Sequence, residues 1–84
     1  MNTFRYWLLE EGSVNDYYTI ETNWDKDELE YIAEAAAEDF HDNHDGWDHK
    51  WPLEFVIADE TGQLGIFKVY IEARPEFDAF PVKP

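Results

Sequence analysis

All three histidines of the chain, His41, His44 and His49, fall within nine residues, with Asp42, Asp45 and Asp48 between them. Imidazole and carboxylate together suit zinc and related ions. Two readings stay open for this segment. One is a metal site using His41, His44 and His49 with Asp45; the other is a solvated loop after a helix, because His-x2-His-x4-His is not a specific ligand spacing. A calcium loop is excluded. Setting Gly46 at the sixth position of an EF-hand loop puts His41 at the first and Pro52 at the twelfth, where two carboxylates are needed.

A second constellation is purely anionic. Glu30, Glu34 and Glu38 repeat every four residues, and Asp42 continues the series. On a helix these carboxylates stand about 6 Å apart along the axis. A DNA strand presents one phosphate per roughly 3.4 Å. A rod of carboxylates of comparable density can satisfy a basic groove built for phosphates. Asp27 and Asp39 flank the series. The competing reading is a solubilising face, but ordinary surface helices interleave bases and gain from i,i+4 pairs. Here residues 10–48 hold 14 acids and one base, Lys26.

Nucleophilic catalysis finds no support in the residue types. The chain has no cysteine, one serine (Ser13), no Gly-rich phosphate loop and no G-x-S-x-G elbow. Without cysteine there is also no disulfide and no thiolate metal site. We therefore expect no enzyme and no cofactor. The 84 residues carry 20 acidic and 6 basic side chains, a net charge of -14. Direct nucleic-acid binding needs a basic face and is excluded on that ground, and an anionic membrane surface is disfavoured for the same reason. Aromatic residues make up 18% of the chain, which argues for a packed core over disorder. No apolar run approaches the roughly 20 residues of a membrane span. The N-terminal residues do not read as a signal peptide, so the expected location is the cytoplasm.

The elements that must position these groups are legible as patterns. Phe4–Leu9 and Tyr17–Thr22 read as two strands around a polar hairpin loop. A helix follows, with Asp25 as its expected N-cap, Glu28 as capping-box partner, and Trp24 and Leu29 at staple spacing. Leu29, Ile32, Ala33, Ala36 and Phe40 recur at the helical period. Gly46 is expected in a left-handed helix-end conformation. Trp51–Ala58 and Leu64–Ala73 read as two further strands joined by a hairpin turn at Gly62, with Pro52 at the first positions of the earlier strand. The expected class is α+β, in the order ββαββ: a four-stranded, mainly antiparallel sheet with one helix on one face. Residues 1–84 are expected to form one domain, with 74–84 an extended tail. Phe4, Tyr6, Leu8, Leu53, Phe55, Ile57, Phe67, Val69 and Ile71 should face the helix. The reverse face, with Trp7, Leu9, Val56 and Tyr70 beside Arg5, Glu54, Lys68 and Glu72, is rather apolar for solvent. Either the tail, through Phe77 and Phe80, or a second copy of the chain in a homodimer is expected to cover it.

The segment Ala37-Glu38-Asp39-Phe40-His41-Asp42-Asn43-His44-Asp45-Gly46-Trp47, followed by Trp51-Pro52-Leu53-Glu54-Phe55 and a Gly-containing hairpin, resembles small uncharacterised phage and prophage proteins. The resemblance spans roughly residues 33–73, and its most specific part is the Asp-Gly-Trp and Trp-Pro-Leu pairing. It brings no residue roles with it. In size, acidity and mixed fold the chain is similar in type to anti-CRISPR and anti-restriction inhibitors, several of which mimic DNA. That likeness implies an inhibitor of a basic, nucleic-acid-handling protein or nuclease complex in the host cytoplasm. Asp27, Glu30, Glu34, Glu38, Asp39 and Asp42, together with the loop between the first two strands, would meet the partner. A metal-binding domain, or an antitoxin- or immunity-like partner of a basic toxin, are the alternatives.

Overall fold

In the computed structural model, residues 2–12, 16–44, 46–71 and 77–82 are described. They form five strands and one long helix: β1 (Asn2–Leu8), β2 (Tyr18–Thr22), α1 (Leu29–Asn43), β3 (Leu53–Asp59), β4 (Gly62–Ile71) and β5 (Phe77–Pro81). The sheet order is β2-β1-β3-β4-β5, and every neighbouring pair is antiparallel. The α+β class holds, but the sheet has five strands where the pattern predicts four. The fifth comes from the stretch read as an extended tail, where Phe77 pairs with Ile71 and Pro81 with Phe67. Its alternation is plain in retrospect: Phe77 and Ala79 are buried, whereas Asp78 and Phe80 are exposed. The prolines at 75 and 81 mask that pattern, although proline is tolerated at strand ends and edges.

The core lies between α1 and one face of the sheet. Phe4, Tyr6, Leu8, Ile20, Phe55, Ile57, Phe67, Val69, Phe77 and Ala79 meet Ile32, Ala33, Ala36, Ala37 and Phe40. The helix contributes alanines because small side chains let its backbone sit low over the bulky sheet residues. Burying aromatic and aliphatic side chains of this size is the main favourable contribution to folding, about 1.5–3 kcal/mol each. Leu53 and Ile71 pack at the margin of the same cluster.

Four local expectations are corrected. The helix begins at Leu29, and Asp25 does not cap it; the residue at the cap position is Glu28, which makes no side-chain capping bond. The Asp25 carboxylate instead accepts the Asp27 backbone N–H at 3.1 Å, closing an Asx turn ahead of the helix. Trp24 stacks on Tyr31, ring centroids 4.7 Å apart, so its ring partner is the third residue of the helix rather than Leu29. Gly46 opens a 3-10 turn, Gly46–Asp48, and is not left-handed; among the described residues only Gly62 has a positive φ, at 131°. Gly46 is required for a different reason. A Cβ there would lie 2.6 Å from the His41 Cα and 2.7 Å from its backbone nitrogen. The loop closes on the helix end because nothing larger fits. Lastly, Pro52 precedes β3 rather than opening it.

Candidate functional site

Helix α1 carries five carboxylates, Glu30, Glu34, Glu38, Asp39 and Asp42, and no lysine or arginine. At 100° per residue a four-residue step overshoots the turn by about 40°, so the series slants across the outer face from the β5 side to the β2 side. Neighbouring strands prolong the acidity at both ends. Asp78 of β5 lies close enough to Glu34 for its charge to be felt. Glu21 of β2 borders the groove that Glu38, Asp39 and Asp42 share with Thr19.

The six predicted partner-facing residues do not stand alike. Glu30, Glu38 and Asp42 are exposed on the helix, and Asp27 is exposed in the turn before it. Glu34 is partly covered where the helix meets β5. Burial pushes its carboxyl pKa up; the Ala79 backbone N–H opposes this, and the charges of Asp78 and Glu30 reinforce it. Asp39 is held in the fold. One of its oxygens accepts the Tyr6 hydroxyl at 2.6 Å and the other accepts the Asn43 side-chain amide at 2.9 Å. His44 Nε2 lies 3.4 Å from it as well. Tyr6 is fully buried, so its hydroxyl needs a partner, and the helix supplies one. Burial first, then the Asp39 bond and charge, push the Tyr6 pKa far above the ordinary tyrosine value. The sequence reading missed this pair. An inward-facing tyrosine on β1 with an aspartate on the helix flank was the available signal.

Among the described residues every ion pair has a histidine as its cation: His41–Asp42, His44–Asp39 and His49–Glu11. None joins a lysine or arginine to a carboxylate. Among the described residues the acidic face thus has no lysine or arginine partner. Two exposed aromatics, Trp24 and Tyr31, stack together beside it, and Trp47 is exposed near its C-terminal end.

The three histidines disperse. The His41 ring packs edge-on against Phe77, that of His44 stacks on Tyr18 at 4.0 Å, and that of His49 meets Phe40 edge-on at 5.0 Å. Each is used as a flat, partly buried plate around the C-terminal end of α1. Among the described residues no three His, Asp or Glu side chains gather to hold an ion. Asp45, the fourth ligand of the metal reading, lies outside the described residues. Among those residues, too, no helix is long and apolar enough to cross a membrane.

No family model, no curated protein and no solved structure matches this chain.

Proposed function

We propose that the protein is a small acidic phage-type inhibitor, of the anti-CRISPR or anti-restriction type, and that it binds a basic nucleic-acid-handling protein through α1. The observation that carries this reading is the slant of Glu30, Glu34, Glu38 and Asp42 on a helix without lysine or arginine, where among the described residues no lysine or arginine pairs with a carboxylate. An ordinary solvated face gains stability from mixed charges, and this helix forgoes that gain. Glu38 and Asp42, in its second half, also oppose the helix dipole. A local cost of that kind is expected where a surface serves a partner.

The mechanism is occlusion. Carboxylates spaced like phosphates enter the groove, steered by long-range attraction, and exclude the nucleic acid. Asp27, Glu30, Glu38 and Asp42 make the direct contacts, Glu34 contributes from the β5 side, and Asp39 serves mainly to fix the helix on Tyr6. The test is paired capture from a nuclease-treated bacterial lysate. The parent and a Glu30→Lys, Glu34→Lys, Glu38→Lys variant serve as baits, with quantitative mass spectrometry as readout. Nucleic-acid-handling proteins should be retained by the parent, lost from the variant, and displaced from the parent by added duplex DNA. The same captured set on both baits would remove the reading.

A further inference from the structure

The two edges of the sheet are treated differently. The Leu9 N–H donates to the Glu54 carbonyl, so alternate residues Arg5, Trp7 and Leu9 turn their backbone groups towards β3. Asn2, Phe4 and Tyr6 therefore bond β2, through Thr22, Ile20 and Tyr18. The N–H and C=O groups of Thr19 and Glu21 point outward from the edge. Both residues are exposed, and no described group takes those four groups up. At the far edge the Val82 N–H donates to the Ile66 carbonyl, so Phe77, Ala79 and Pro81 are the outward residues of β5. That edge is blunted. The Glu34 carboxylate accepts the Ala79 N–H, and Pro81 has no N–H to offer. Open edges invite further pairing, and proteins ordinarily close them. We propose that the open edge of β2 takes up an extended basic segment of the partner as an additional strand.

The surroundings of β2 select a basic occupant. The helix runs antiparallel beside the strand, with Tyr31 stacked on Trp24 past one end and His44 stacked on Tyr18 at the other. Between these stacks lies an open groove of about 400 Å³, with Thr19 and Glu21 on one side and the small Ala35 on the helix side. Four carboxylates border it, Glu21, Glu38, Asp39 and Asp42, and no lysine or arginine. His44 stands 3.4 Å from Asp39 and is the imidazole beside the groove. Of the bases, Arg5 lies opposite Thr19 on the reverse face, its guanidinium over the Tyr17 ring, and Lys26 sits where Asp59 feels its charge. A second copy would bring its own Glu21 and Glu38 against these acids and is disfavoured. In a strand added to β2, every other side chain stands on the helix side, beside Tyr31, Glu38 and Asp42. Arginine or lysine there meets a carboxylate or an aromatic face. The backbone ladder supplies affinity, and the carboxylates select the sequence. This site rests on the proposed inhibitor role only for the sign of its occupant's charge.

A fluorescein-labelled peptide of alternating arginine and valine, blocked at both ends, serves as the probe, with anisotropy as readout. Its control keeps the same charges but has methylated amide nitrogens, so it cannot extend the ladder. The parent should bind the probe and hold the methylated control about tenfold more weakly, since charge is kept and backbone pairing is lost. Amide hydrogen exchange followed by NMR locates the contact. Thr19 and Glu21 should become protected when the probe binds, whereas Tyr18, Ile20 and Thr22 are already bonded to β1. Thr19→Pro removes one outward N–H and leaves the β1–β2 ladder intact, because proline is tolerated on an edge with that side facing solvent. It should weaken binding about tenfold with an unchanged circular dichroism spectrum. No binding of the probe, equal binding of the methylated control, unchanged exchange at Thr19 and Glu21, or a folded Thr19→Pro that binds as well as the parent would each overturn the proposal. Displacement of DNA from a captured partner, with no protection of Thr19 and Glu21 in that complex, would overturn this site and leave the inhibitor role standing. Probe binding with both amides protected, but no displacement of DNA, would support the site and remove the inhibitor role.

Discussion

Replacing Tyr6 by phenylalanine isolates the bond that fixes the acidic helix on the sheet. The ring keeps its place in the core, next to Tyr18 and Phe55, and only the hydroxyl that Asp39 accepts at 2.6 Å is lost. A hydrogen bond to a charged acceptor is worth about 1.5–3 kcal/mol. Two features discount it here. Asp39 retains the Asn43 amide, and its side chain is 25% exposed, so water can replace the hydroxyl. The expected loss is about 1–2 kcal/mol at neutral pH, or a fall in Tm of roughly 5–15 °C for a domain of this size. The pH dependence adds a second signature. The folded state raises the Tyr6 pKa, through burial first and Asp39 second. Its neutral form therefore contributes stability that is complete below the unfolded tyrosine pKa of about 10 and is lost as pH rises above it. Each further pH unit costs the parent about 1.4 kcal/mol, whereas Tyr6→Phe has no such proton to lose. A gap of about 1.5 kcal/mol at neutral pH should thus close near pH 11. Urea melts followed by circular dichroism at several pH values measure it. Equal stabilities at neutral pH, or a gap constant up to pH 11, would refute the account of how Tyr6 and Asp39 tie the layers together.

Other outcomes follow from the same geometry. Glu34→Gln should be more stable than the parent at neutral pH. A carboxyl with a raised pKa contributes stability below its unfolded value near 4.5 that is lost as pH rises through the folded one, and acid titration of the two proteins should show the difference. Gly46→Ala should cost more than a typical surface change, on the order of 1–3 kcal/mol, because its Cβ meets the His41 backbone; a thermal melt decides it. Asp25→Ala should cost under about 1 kcal/mol, less than a lost helix cap, since its carboxylate closes only the Asx turn. Ala36→Leu should cost about 1–3 kcal/mol by overpacking a fully buried site.

The sequence carried the layering well, for a physical reason. Alternation along β1, β3 and β4 and the helical recurrence of Ile32, Ala33, Ala36 and Phe40 are both imposed by the same core, so they agree and can be read together. β5 was missed because five residues between prolines give too short an alternation to stand out from an extended tail. Asp25 looks like a cap and makes the hydrogen bond typical of its residue type, but one turn too early. Local propensity names the kind of bond and leaves its register to packing, and here the Trp24–Tyr31 stack accompanies a helix start at Leu29. The candidate site was legible as a charge series. That Asp39 belongs to the fold and Glu34 to the β5 contact was not, because both depend on which strand lies beneath each flank of the helix.

In the proposed mechanism the carboxylates of α1 stand in for phosphates. The most direct measurement is displacement of labelled duplex DNA from the protein captured by this chain, followed by anisotropy across a range of salt. The parent should displace the DNA stoichiometrically and less well as salt rises, while Glu30→Lys, Glu34→Lys, Glu38→Lys should fail with its fold intact. Displacement by that variant as strong as by the parent, with the same salt dependence, would contradict it.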